Sequence, residues 1–72
     1  MTTWHSLGEG SWWRPHADGR RAWHALRGYS GWELRVCHTP APPFIEGRVP
    51  GLWLPTLGAC KHVAFTVEVE GG

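Results

Sequence analysis

The sequence predicts an all-β fold: a small antiparallel sheet or barrel of five to six short strands, in a single domain spanning residues 1–72. Three observations predict it. Ten glycines and six prolines interrupt the chain, and no helical periodicity runs past about ten residues. Between the interruptions stand short segments rich in Trp, Val, Leu and Phe, the pattern of strands joined by turns. The closing segment, Cys60–Glu70, alternates strictly, with Val63, Phe65, Val67 and Val69 against His62, Ala64, Thr66 and Glu68.

The first elements come from an internal echo. Trp4–Trp13 reads WHSLGEGSWW and Trp23–Trp32 reads WHALRGYSGW. Each has Trp-His-x-Leu, a glycine-bearing turn and a closing Trp, which predicts two similar hairpins turning at Gly8–Ser11 and Arg27–Gly31. Arg20–Leu26 has a helical alternative, with Asp18 as cap and Gly28 as stop. The echoed segment before Gly8 has too little room for a helix, so a strand is preferred. WELRVCH follows as a strand with Trp32, Leu34 and Val36 on one face and Glu33, Arg35 and Cys37 on the other. Three prolines in Thr39–Phe44 exclude a central strand and predict a surface loop running to Pro50. Within that loop, Ile45–Arg48 matches a protease-site sequence by coincidence. Gly51–Gly58 then supplies a short strand and turn before the last strand, whose Glu68 and Glu70 would discourage edge pairing.

A chain of this length buries only about 60% of the surface its unfolded form exposes, so a metal, a bridge or a partner would matter to it. The only two cysteines each stand beside a histidine, as Cys37–His38 and Cys60–Lys61–His62. On a strand, Cys60 and His62 leave one face about 7 Å apart, a spacing that can converge on one ion. Cys37 is the third candidate ligand and His16, in the loop before the second hairpin, the fourth. Zinc on Cys37, Cys60, His62 and His16 is therefore one reading. Free thiols and a 37–60 disulfide are the others. A structural zinc is worth on the order of 10 kcal/mol and such a bridge roughly 3 kcal/mol.

The net charge is +1 and the isoelectric point about 7.9, below the value above about 9 typical of proteins held to nucleic acid by bulk charge. No apolar run approaches the length of about 20 residues that spans a bilayer. The segment MTTWHSLGEG lacks the basic start and apolar core of a signal peptide, which leads to the expectation of a cytoplasmic protein without membrane contact. Six arginines against one lysine, with abundant Gly, Pro, Ala and Trp, match a GC-rich bacterial or phage genome. GEGSWW lacks the third glycine of a dinucleotide fingerprint, GYSG has Trp32 where a nucleophile elbow needs glycine, and no Walker-type loop is present. So small a β domain leaves little room for a substrate cleft, and no enzyme is expected.

Six tryptophans are the most unusual feature. Most are expected to form the core, in place of scarce leucine and isoleucine. Trp12 and Trp13 must face opposite ways on a strand, and Trp53 opposes Leu52 and Leu54, so at least one tryptophan is expected at the surface. An exposed aromatic cluster with arginine is the composition of a binding hot spot. The expected function is a small non-enzymatic binding module. Its partner is a protein, a second copy included, met through Trp12, Trp13, Arg14 and Tyr29. The alternative is single-stranded nucleic acid, with bases stacked on the same aromatics beside Arg14, Arg20 and Arg21. A zinc-stabilised structural protein is the third class.

Overall fold

The computed structural model describes residues 3–44 and 51–71. Five antiparallel strands form one open sheet in the order of the chain: β1 (His5–Gly8), β2 (Ser11–Pro15), β3 (Ala22–Arg27), β4 (Trp32–Cys37) and β5 (Leu52–Leu54). Among the described residues a single helix follows, α1 (Leu57–Val69). The two echoed segments are hairpins, as the repeat predicts, and Arg20–Leu26 supplies the strand β3. Thr39–Phe44 is irregular, as its prolines require. The remainder of that predicted loop, residues 45–50 with the IEGR sequence, lies outside the described residues.

Strand register fixes which side chains share a face. Trp12 pairs with Ala25 and Ala25 with Leu34, while Arg14 pairs with Trp23 and Trp23 with Val36. These residues form the inner face. The buried core there is Trp23, Ala25 and Leu34 against Cys60 and Ala64 of the helix, with Trp4, Trp12, Trp32, Val36 and Leu54 packed around it. The next row carries Trp13, His24 and Arg35, and Ala22 pairs with Cys37. That row is the outer face. Trp53 pairs with Glu33 on the same outer side and is 57% exposed, which answers the expectation of a surface tryptophan.

The closing segment is the correction. Cys60–Glu70 is not a strand; it lies in α1 and its C-terminal cap. Thr56 caps the helix in an extended conformation, its side-chain oxygen accepting from the Ala59 N–H at 3.0 Å. The alternating valines fit a strand, but Leu57, Cys60, Val63, Ala64 and Val67 also recur at helical spacing, and all five pack on the core cluster. The conflict is decided by layering. A single sheet with one apolar face needs a second layer to cover it, and no other described segment supplies one. Small residues at 60 and 64, both fully buried, let the helix axis approach the sheet closely.

Gly31 shows how tightly the second hairpin meets β5. Its φ is +156°, and a Cβ built there would lie 2.6 Å from the Leu54 carbonyl oxygen. Backbone cannot swing aside as a side chain can. Gly31→Ala is expected to cost about 1–3 kcal/mol, read as a lower urea midpoint with an unchanged slope.

Candidate functional site

α1 lies over β3, β4 and β5, so the inner side of β1 and β2 lies beside the helix and not beneath it. The helix is tied to this side at its C-terminal end. Arg14 projects inward from β2 by alternation, and its guanidinium grips the Glu68 carboxylate with both arms, Nη2 to Oε1 at 2.6 Å and Nη1 to Oε2 at 3.2 Å. The Ala17 N–H donates to Oε2 at 2.6 Å and the Trp23 indole N–H at 3.1 Å. Arg14 is buried beneath Trp4, whose ring centroid lies 5.5 Å from the guanidinium carbon. His16, also buried, stacks on Trp23 and holds Nδ1 3.6 Å from Glu68 Oε2. The same Nδ1 accepts from the Asp18 N–H.

Burial alone pushes the Glu68 carboxyl up. The Arg14 hydrogen bonds and the Ala17 and Trp23 donors outweigh it and hold the group below its ordinary value. Asp18, at the loop surface, is brought to about 2 by the Arg20 N–H and the Arg21 guanidinium.

Above this pair opens a groove of about 520 Å³, lined by Trp4, Arg14, Ala17, Lys61, Phe65, Glu68 and Val69. Its helix wall is apolar and exposed: Phe65 is 63% and Val69 68% accessible. Lys61 stands at the rim with its ammonium 5.6 Å from the Trp12 ring centroid. The groove is thus a concave, mostly apolar surface over a fixed charged floor, the usual build of a binding site.

The sequence-predicted site residues do not converge. In α1, Cys60 faces the core and is fully buried, whereas His62 is exposed. Two residues apart means about 200° around a helix, so the one-face argument for this pair fails. Cys37 lies on the outer face and Cys60 on the inner, and both are free thiols. His16 belongs to the Glu68 network. Among the described residues no three His, Cys, Asp or Glu side chains form a group that could hold a metal ion.

The predicted Trp/Arg surface is divided as well. Trp12 and Arg14 lie on the inner side. Trp13 lies on the outer face, against His5 at 5.0 Å and Phe44 at 6.0 Å between ring centroids. Tyr29 is fully exposed at the β3–β4 turn. Arg20 is exposed in the β2–β3 loop, where Arg21 pairs with Asp18 at 2.7 Å. Sequence reasoning missed Trp4, Lys61, Phe65, Glu68 and Val69. The missed signal is the i, i+4, i+8 spacing of Lys61, Phe65 and Val69, one stripe along a helix.

On the outer face, Ser11 Oγ and His24 Nε2 lie 2.9 Å apart, the contact a nucleophile makes with its base. Burial, and after it the Arg35 charge, hold the His24 imidazole below its ordinary value of 6.5. A catalytic imidazole needs a neighbour that stabilises its cation. Arg35 lies directly across from His24 in β4 and is itself paired with Glu33 at 2.6 Å.

These shifts set a pH window. His24, Glu68 and Asp18 have folded pKa values below their unfolded ones, so the stability they contribute is complete above 6.5, 4.5 and 3.8 and is lost as pH falls from those values through the lower folded ones. The Cys37 and Cys60 thiols are raised above 9.0 by burial, so their contribution is present below 9.0 and lost at higher pH. Urea midpoints measured across pH are expected to plateau between about 6.5 and 9.0. They should fall below about 6.5, a fall that His24→Gln should remove, and again below about 4.5, where Glu68 and then Asp18 take up protons.

No protein-family model matches the chain, and no curated protein and no solved structure matches it. No helix among the described residues is long and apolar enough to cross a membrane.

Proposed function

We propose that this protein is a small, non-enzymatic binding module that holds an apolar segment of a protein partner in the groove beside α1. The observation that carries the reading is the exposed pair Phe65 and Val69 on a docked helix, beside Trp4 and above the anchored Arg14–Glu68 floor. An exposed apolar surface next to a preformed concavity is the usual mark of a contact site. The expected Trp/Arg surface thus moves to Trp4 and Arg14. Single-stranded nucleic acid fits less well, because Arg14 and Arg21 are each countered by a carboxylate.

Anilinonaphthalene sulfonate tests the groove directly. Its fluorescence should rise on the wild-type protein and stay low on Phe65→Glu, with circular dichroism unchanged. Equal fluorescence from both proteins contradicts the reading. A labelled single-stranded oligonucleotide bound tightly at about 50 mM salt and released at about 200 mM would favour nucleic acid instead.

A further inference from the structure

We draw no further inference here: the strongest candidate, the apolar groove between Trp4 and the Phe65–Val69 stripe of α1, belongs to the site already described, and nothing in the structure shows what covers it.

Discussion

Glu68→Ala should remove most of the protein's stability at neutral pH. Glu68 and Arg14 are nearly excluded from water, with side-chain exposures of 10% and 6%. Removing the carboxylate takes from the buried guanidinium its bidentate anionic partner, leaving its Nη1 bond to the Pro15 carbonyl, and breaking such a pair costs about 3–5 kcal/mol. Small domains have total stabilities of about 5–15 kcal/mol, and a chain of 72 residues belongs at the low end. The Ala17 and Trp23 donors lose their acceptor in the same step. Glu68→Gln keeps an acceptor for some of these donors but not the charge, and should cost about 1–3 kcal/mol. Urea melts followed by circular dichroism measure both. An alanine variant as stable as the wild type would mean that the last turn of α1 is not anchored at Arg14.

Trp23→Ala should do comparable damage by a different route. Trp23 is 4% exposed at the centre of the core, and truncating a buried tryptophan costs about 3–5 kcal/mol. Its indole also carries the His16 stack and the hydrogen bond to Glu68. Trp23→Phe preserves most of the packing and removes the donor, so a loss of about 0.5–1.5 kcal/mol is expected. Combining it with Glu68→Gln should cost measurably less than the two single losses together, because both changes break one hydrogen bond. Strict additivity would show that Trp23 and Glu68 act independently.

These expectations follow from the one element that sequence reasoning placed wrongly. The strands were legible because their signals were local: alternation in WELRVC, glycine at the turns, and a repeat that predicts the same hairpin twice. Val63–Val69 carries an equally good alternation and forms a helix. Alternating residues in a strand and every third or fourth residue in a helix overlap over so short a run, and valine favours strands only weakly. What decides between them is the uncovered inner face of the sheet, which no window of sequence contains. Thr56 with Ala59 and the 57–60–64–67 spacing were the available helix signals.

The candidate site was less legible for the same reason. Cys60 and His62 were paired on the assumption of a strand, and the helix separates them. Arg14 was picked out for its tryptophan neighbours, which is correct in kind: it sits under Trp4 at the base of the groove. Its partner lies 54 residues away in the chain, and nothing local announces Glu68. Trp12 and Trp13 were correctly expected to face opposite ways. That expectation also divides the surface proposed around them between the two faces of the sheet.

The measurement that bears most directly on this account is an NMR determination of the Cα shifts of residues 57–69 together with the contacts of the Trp23 indole N–H proton. A docked helix anchored at Arg14 predicts helical shifts throughout and a cross-peak from that proton to the Glu68 side chain. Strand-like shifts, or an indole proton with no contact to residue 68, would remove the helix wall and the floor of the groove together.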